Sequence, residues 1–467
     1  MILQKTYDLV WGVPALLLIV SVGAFLTVRS GFAQLRLLPA ALRSFCARFL
    51  RSGGNDDTSS FRALCTALAA TVGTGNLAGV AGAIALGGPG AVFWMWICGL
   101  LGMMLKFAEA TLAVRYRRTN EMGEWIGGPM YVMLGALGEK YRPLAAGYCL
   151  FGVVAAFGVG NATQINTVIC GIRDALDYFH LSLLPWQSLL IGALLAALIG
   201  SMLLGGARRI GQAAEMLVPL VAVLYLSLCA LVLMLRFSQL PAAFSAIFHG
   251  AFHPAAVTGG VVGSVISTLR IGVSRGVFTN EAGMGTAGIA HASANVSHPV
   301  VQGLMGIVEV FLDTMVMCTM TALVILCSGA DIPYGVDAGL GLTTAGFSSV
   351  LGPWVSVAIS VSVCLLALAT VLGWGLYGIR CAQFLLGEGS FKPFVLLQTM
   401  TVVVGAVLRP STVWLLAEII NGLMTIPNLL TLGACTPELI RLLKDYRSGN
   451  NAAIGGYHEA ICECKPM

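Results

Sequence analysis

The sequence predicts an all-α protein that crosses a membrane many times, and two observations support this fold class. Hydrophobic residues make up 57% of the 467 residues, and only 10% are charged. Soluble domains carry about 25% charged residues, so this chain has too few charges to cover a water-exposed surface. Apolar stretches of about 20 residues, the length that spans a bilayer as a helix, also recur along the whole chain.

About eleven segments are candidate transmembrane helices. The first follows a short start in which only Lys5 is basic, so we interpret it as a retained helix rather than a cleaved signal peptide. The segment 256–290 is glycine-rich and contains charged residues, which predicts a discontinuous helix. The eleven candidates are 10–28, 63–86, 91–114, 147–170, 186–204, 213–235, 256–290, 300–328, 352–379, 394–409 and 412–433.

Ten of the eleven spans divide into two sets of five when the first is set aside. The predicted organisation is an N-terminal transmembrane helix with a basic cytoplasmic segment (1–62), a first five-helix repeat (63–240), a second five-helix repeat (241–433) and a cytoplasmic tail (434–467). An odd number of spans in each repeat makes the two repeats inverted relative to each other. Cys462 and Cys464 in the tail lack a second ligand pair for a metal nearby in sequence, and we interpret them as free thiols.

The distribution of lysine and arginine predicts the orientation in the membrane. With the N-terminus outside, 19 of the 26 basic residues fall in cytoplasmic segments, four fall outside and three lie within spans. Cytoplasmic loops of membrane proteins are enriched in basic residues, so we expect the N-terminus outside and the C-terminus inside a bacterial inner membrane. The formal net charge of +5 then reflects topology, and no basic stripe with interleaved aromatic residues indicates nucleic-acid binding.

The first span of each five-helix set is interrupted by glycine and polar residues. The first interruption is 71–76 (TVGTGN), and the second is 274–285 (SRGVFTNEAGMG). Glycine-interrupted spans at matching places in two halves are typical of secondary transporters that bind substrate near the middle of the membrane. A half-helix N-terminus offers free N–H groups to a carboxylate, and a half-helix C-terminus offers carbonyls to a cation. One zwitterion and one cation would match both kinds of helix end.

Several long motifs resemble the alanine-or-glycine:cation symporter family. They are 66–81 (TALAATVGTGNLAGVA), 87–96 (GGPGAVFWMW), 106–114 (KFAEATLAV), 280–287 (NEAGMGTA) and 421–429 (NGLMTIPNL). The resemblance covers nearly the whole chain. It implies the fold of the bacterial leucine transporter, two inverted five-helix repeats with broken first helices, here with one extra N-terminal helix. It also implies sodium- or proton-coupled uptake of alanine or glycine, with Na⁺ as the expected coupling ion and no enzymatic activity.

The resemblance also implies which residues form the site. By position in the motifs, Thr74, Gly75 and Asn76 would hold the substrate carboxylate, and Gln164 and Trp374 would line the substrate site. The implied sodium ligands are the Thr370 hydroxyl and the backbone at Val72 and Gly73.

Ionisable residues inside predicted spans are functional candidates because burying charge in a bilayer is costly. Lys106 and Glu109 are spaced to pair on one helix face. Glu309 and Asp313 would pair with Arg270 or Arg275, or carry protons. Glu281 would cap a half-helix or gate the pathway. His291 and His298 follow the second break, where we expect cytoplasmic surface.

The sequence leaves other readings open. A transporter of the same fold could be coupled to protons or could carry a larger substrate such as glutamine. An intramembrane enzyme would need a catalytic pair or metal ligands in the middle of the membrane, and a channel would not show saturable uptake.

Overall fold

The computed structural model describes residues 13–50, 58–407 and 410–448. The tail cysteines Cys462 and Cys464 and the first twelve residues therefore lie outside the described residues. Strand structure in the described part is confined to a two-stranded antiparallel hairpin, in which β1 (Arg118–Thr119) pairs with β2 (Trp125–Ile126). Almost everything else is helical, which confirms the all-α prediction.

Twenty-one α-helices follow one another through the described part of the chain. They are α1 (Val13–Arg29), α2 (Ala33–Leu50), α3 (Thr58–Thr71), α4 (Val80–Gly87), α5 (Gly90–Arg115), α6 (Pro129–Val132), α7 (Arg142–Phe157), α8 (Thr163–Tyr178), α9 (Pro185–Leu203), α10 (Gly206–Leu235), α11 (Leu240–Phe252), α12 (Pro254–Val257), α13 (Val265–Asn280), α14 (Thr286–His291), α15 (Pro299–Val310), α16 (Thr319–Ser328), α17 (Gly339–Leu351), α18 (Val355–Leu386), α19 (Phe391–Gly405), α20 (Pro410–Ala434) and α21 (Thr436–Arg447).

Short turns of other helix types join several of these helices. The π-helical turns are Gly75–Gly79, Met133–Leu137, Gly158–Ala162 and Phe311–Cys318, and the 3₁₀ turns are Glu139–Tyr141, Phe237–Gln239 and Glu388–Ser390. π-helical turns within helices are frequent at functional sites. Three of them, at 75–79, 158–162 and 311–318, adjoin residues of the candidate site described below.

Six continuous helical segments of the described residues are long and apolar enough to cross a membrane. Three further pairs of helices meet this criterion as bent spans, so that the total is six to nine. The bends are 78° between α1 and α2, 50° between α3 and the segment Gly75–Gly87, and 60° between α20 and α21. The exact number of eleven spans and the division into residues 63–240 and 241–433 stay predictions.

The two predicted breaks are both present, and the second is shorter than predicted. The first interrupts the chain between Thr71 and Gly75. In the second, α13 continues to Asn280, so that the break covers only 281–285 and not 274–285. Gly276 lies within this helix, and a Cβ there would come within 3.1 Å of Cys98 Sγ. Glycine at that position serves close helix packing.

The segment 256–290 is discontinuous, as predicted. It begins in the short helix α12 and a turn, and the long helix α13 starts only at Val265. The predicted N-terminal region 1–62 contains a feature that the sequence did not suggest, the 18-residue helix α2, which turns sharply away from α1.

The candidate site lies among α3, α5, α8, α13, α15 and α18. Helix α5 packs along both α13 and α15, and α18 packs along α8 and α3. The two breaks therefore lie between helices that hold them from several sides.

Candidate functional site

The first break is held by the side chain of Asn76. The Gly73 N–H donates to Asn76 Oδ1 at 2.9 Å, and Asn76 Nδ2 donates to Asp313 Oδ1 at 2.6 Å. Asn76 and Asp313 are fully buried. One amide therefore ties the unwound backbone to the π-helical turn Phe311–Cys318.

Several backbone groups of the first break have no partner among the described residues. The carbonyl of Val72 accepts no hydrogen bond there, and the N–H groups of Thr74 and Gly75 donate none. The second half of this helix runs from Gly75 to Gly87, and its first N–H groups form its positive end. The break thus presents both a carbonyl and free N–H groups, the two kinds of backbone group that a cation and a carboxylate require.

Residues of α8 and α18 close around this break. Thr74 Oγ1 donates to Gln164 Oε1 at 2.9 Å. A Cβ added at Gly73 would come within 2.5 Å of Thr370 Oγ1, so the threonine hydroxyl lies directly against the Gly73 backbone. That hydroxyl donates to the Leu366 carbonyl at 3.0 Å, which leaves lone pairs on its oxygen. The structure therefore brings Thr74, Gln164 and Thr370 together at the first break.

Trp374 lies one turn further along α18 and is fixed on two sides. Its Cβ would be only 2.2 Å from a Cβ at Gly160, so the glycine makes room for the tryptophan. Its indole Nε1 donates to Glu281 Oε1 at 2.7 Å. Trp374 therefore connects α18 to the second break.

The second break is held by Glu109. Its Oε1 accepts hydrogen bonds from the N–H groups of Gly283 and Gly285 and from Asn428 Nδ2, at 2.8–3.0 Å. Gly283 and Gly285 have φ of 92° and 80°, a conformation that favours glycine. The predicted pairing of Glu109 with Lys106 is wrong, because the glutamate instead satisfies backbone groups that unwinding exposes.

One prediction for Glu281 was that it caps the backbone of the following half-helix, and this prediction is wrong. Its Oε2 accepts from the side-chain hydroxyl of Thr286, the first residue of α14, at 2.6 Å. Its own backbone is left-handed, with φ of 53°, and its second carboxylate oxygen bonds Trp374. Glu281 thus links the second break to the tryptophan.

The predicted ion pairs of Glu309 and Asp313 with Arg270 or Arg275 are also wrong. Glu309 pairs with Lys106 at 2.9 Å, in a pair with no exposed side-chain surface, and Arg275 pairs with Asp337. Asp313 makes no ion pair with any described residue, and its second oxygen accepts from Thr314. Sequence spacing could not reveal these ion pairs because their members lie far apart in the chain.

The two histidines lie in the interior and not at the surface where we expected them. His291 is completely buried and bonds Glu309 at 2.9 Å, and His298 is 3% exposed and accepts from the Val300 N–H at the start of α15. The surface location was predicted only from their position after a break in the sequence. That position gives no information on which helices pack over the two side chains.

The interior contains more acidic than basic side chains. Among the described residues, four carboxylates and one lysine are buried there, and the largely buried Arg380 near the end of α18 pairs with Glu124. The four carboxylates are Glu109, Glu281, Glu309 and Asp313. An interior with this imbalance favours the binding of cations or protons.

Comparison with known proteins identifies the family. A family model described as "Sodium:alanine symporter family" matches residues 1–457. The chain belongs to the sodium:alanine symporter family. It is thus a multi-pass membrane transporter and not an enzyme, as the motifs predicted.

Curated members of the family are similar in sequence to this chain over almost their full length. A transporter of Haemophilus influenzae is 41% identical over 95% of both chains. The sodium/alanine symporter AgcS of Methanococcus maripaludis is 39% identical over 91% of this chain and 92% of the relative. The probable sodium/glutamine symporter GlnT of Bacillus subtilis is 36% identical over 94% of this chain and 89% of the relative.

Among solved structures, the fold of this family member is similar to that of MhsT in complex with L-phenylalanine. The TM-score is 0.55, the sequence identity is 14%, and the match covers 81% of this chain and 96% of MhsT. This similarity is one of fold, and it confirms the prediction of a leucine-transporter-like architecture.

Proposed function

We propose that this protein couples the entry of sodium to the uptake of a small neutral amino acid, alanine or glycine, across the plasma membrane. The observation that carries the proposal is the first break, where free backbone groups adjoin a buried carboxylate without a basic partner among the described residues. The ligand set that fits this combination is a zwitterion together with a cation.

The proposed carboxylate site is the start of the segment Gly75–Gly87. The unbonded N–H groups of Thr74 and Gly75 lie at the positive end of this half-helix, beside the Asn76 amide. Hydrogen bonds to an ionised carboxylate are roughly twice as strong as neutral ones. Gln164 reaches the same place through its bond to Thr74.

The proposed sodium ligands are the carbonyl oxygens at Val72 and Gly73 with the Thr370 hydroxyl. The Val72 carbonyl has no other partner among the described residues, and the Thr370 oxygen lies against Gly73. Asp313 is one side chain away, since Asn76 bonds both Gly73 and Asp313. A substrate carboxylate placed near Asp313 repels it unless a cation lies between them, so substrate and cation favour each other's binding.

A small substrate is favoured by what surrounds the first break. A Cβ at Gly75 would lie 3.4 Å from Thr279 and 3.5 Å from Phe278, and Trp374 fills the space that Gly160 leaves. Thr74, Asn76, Gln164 and Trp374 are all buried. We therefore propose that side chains much larger than a methyl group are excluded.

Radiolabelled alanine uptake into proteoliposomes with an imposed sodium gradient tests the proposal. We expect uptake that is lost when choline replaces sodium, that glycine inhibits, and that tryptophan does not inhibit. Uptake that persists in choline and follows a proton gradient would show that the coupling ion is the proton and not sodium. Glutamine that inhibits more strongly than glycine would favour the alternative that the name of the Bacillus subtilis relative suggests.

A further inference from the structure

A continuous chain of hydrogen bonds connects the middle of α5 to the start of α3. Lys106 Nζ donates to Glu309 Oε1 at 2.9 Å, and Glu309 Oε2 lies 2.9 Å from His291 Nε2. His291 Nδ1 lies 2.7 Å from Gln302 Nε2, and Ser60 Oγ lies 2.5 Å from Gln302 Oε1. Arg48 on α2, which is partly exposed, donates to the Ser60 hydroxyl.

We propose that His291 is a proton-binding site, and that the proton it binds is coupled through Gln302 and Ser60 to the position of α3. The role of this proton in transport rests on the transport function proposed above. The site itself can be tested without that function. Nothing in the sodium and amino-acid sites described above uses these residues.

A neutral imidazole at His291 fits the hydrogen bonds of this structure. Glu309 accepts from Lys106, so the neighbouring His291 Nε2 carries a hydrogen and donates to the second carboxylate oxygen. Gln302 Nε2 donates to His291 Nδ1, which therefore has its lone pair free of a proton. The two ring nitrogens of a neutral imidazole then face one acceptor, Glu309, and one donor, Gln302.

A second proton would attach to the Nδ1 lone pair and come from the aqueous phase. No covalent bond breaks, but Nδ1 becomes a donor and meets the Gln302 NH₂ group, which is also a donor. Gln302 must then turn its amide so that Oε1 faces the imidazolium. This rotation places Nε2 towards Ser60 Oγ and removes the 3.4 Å contact from Nε2 to the Ser60 carbonyl.

The Ser60 contacts hold the start of the first broken helix against the segment 295–302. Asn295 N–H donates to Ser59 Oγ at 2.9 Å, next to the link between Ser60 and Gln302. Because α3 ends at the first break, a change in how its start is held is transmitted to the residues of the proposed substrate site. Protonation of His291 therefore biases the arrangement of α3.

Charged groups of both signs lie on the elements around His291. Helix α14, which ends at His291, packs against α3, α5, α6 and α18, and the second break precedes it. The charged groups of these helices and of α15 are Lys106, Glu109 and Glu309, with Arg62 held by Glu215, Arg115 held by Glu438 and Arg380 held by Glu124. Glu281 adds a further carboxylate in the second break. Acidic groups exceed basic ones in the interior, and an imidazolium would reduce this imbalance. Histidine is the side chain whose ordinary charge change falls between about pH 5 and 8.

The first experiment measures the protonation of His291 without substrate. Protein labelled with ¹⁵N-histidine is titrated by NMR from about pH 8 to about pH 5, and the His291 signals are assigned by their loss in His291→Gln. We expect a change from the neutral Nε2–H form to the doubly protonated form. A His291 that stays neutral over this range would overturn the proposal, whether or not the protein transports alanine.

The second experiment measures coupling. Alanine is added with sodium to purified protein in weakly buffered solution that contains a pH indicator, and alanine binding is measured in parallel. We expect a change in bound protons for the wild type and for the control His249→Gln, whose histidine is exposed, and at least a fivefold smaller change for His291→Gln. An undiminished change in His291→Gln contradicts the proposal. Absence of alanine binding by the wild type would count against the transport function and leave the NMR result to decide the proton site.

Ser60→Ala tests the coupling in a protein that keeps His291 and its hydrogen bond to Glu309, so that misfolding of the histidine variant cannot explain the result. We expect His291 to titrate still, with alanine bound as in the wild type and a reduced number of protons exchanged on binding. A proton exchange equal to that of the wild type would show that the coupling does not run through Ser60.

Discussion

Asn76 uses both ends of its side-chain amide, and this explains why an asparagine suits the first break. The oxygen accepts from the unwound backbone at Gly73, and the nitrogen donates to the Asp313 carboxylate. An aspartate would place a second negative charge against Asp313, and an alanine would leave both groups without this partner. The same residue therefore shapes the backbone and orients the buried charge.

Replacing Asn76 tests this double role. We expect Asn76→Ala to weaken alanine binding by about 1–3 kcal/mol, the cost of losing a buried hydrogen bond to a charged group, which is roughly 5- to 150-fold in affinity. Equilibrium binding of radiolabelled alanine to the purified variant measures this. Asn161→Ala is the control, because Asn161 is equally buried but bonds the Gln398 carbonyl. Wild-type affinity in Asn76→Ala would place the carboxylate elsewhere.

Thr370 tests the proposed sodium site. Valine has the shape of threonine without the hydroxyl, so Thr370→Val should raise the sodium concentration for half-maximal uptake by about tenfold, equivalent to about 1.4 kcal/mol. Thr370→Ser keeps the oxygen that lies against Gly73 and should resemble the wild type. The measurement is initial alanine uptake at varied sodium. An unchanged sodium dependence in the valine variant removes Thr370 from the site.

At the scale of elements, the two breaks are stabilised by different means. The first uses a side chain of its own segment, Asn76, whereas the second is bonded by Glu109 from α5 and by Asn428 from α20. The glycines at the two breaks are also needed for different reasons. Gly73 lacks space because of Thr370, and Gly285 additionally has a positive φ and lies against Pro129.

Alanine substitutions at two glycines of the first broken helix test whether glycine is needed because a side chain has no space. One of the two positions is crowded and the other is not. Gly73→Ala would place a Cβ 2.5 Å from Thr370 Oγ1, whereas the nearest atom to a Cβ at Gly79 is Thr279 Cγ2 at 3.6 Å, an ordinary contact. We expect Gly73→Ala to abolish uptake and Gly79→Ala to retain most of it, with both proteins in the membrane. Uptake by Gly73→Ala at the wild-type rate would show that the break tolerates a side chain next to Thr370.

The sequence predicted the existence of both breaks but not the contacts that hold them. Glycines with polar neighbours indicated unwinding, and the chain is non-helical at 72–74 and at 281–285. The same signal misplaced the start of the second break, since Gly276 serves packing against Cys98. The roles of Glu109 and Asp313 depend on residues far away in sequence, and a single sequence shows no such pairing.

At the scale of the whole molecule, segments that were predicted to be cytoplasmic meet at one end. Arg115 pairs with Glu438, Arg380 pairs with Glu124, and Ser59 bonds Asn295. These contacts join helix ends and loops that are far apart in the chain, which agrees with a common side for them. The side of the membrane that they face is set by the excess of lysine and arginine there, and it stays a prediction.

Cysteine labelling with a membrane-impermeant maleimide tests this orientation. Glu121 and Gln239 are both exposed, and they lie in loops predicted to be on opposite sides. In a background that lacks the exposed Cys46 and the tail cysteines Cys462 and Cys464, Gln239→Cys should react in intact cells, because its loop was assigned to the outside. Glu121→Cys should react only after the cells are permeabilised, because the neighbouring Arg115, Arg117 and Arg118 favour the cytoplasm. The reverse pattern would invert the topology. Labelling of both from one side would mean that an even number of spans separates them, and the alternation predicted between residues 121 and 239 would be wrong.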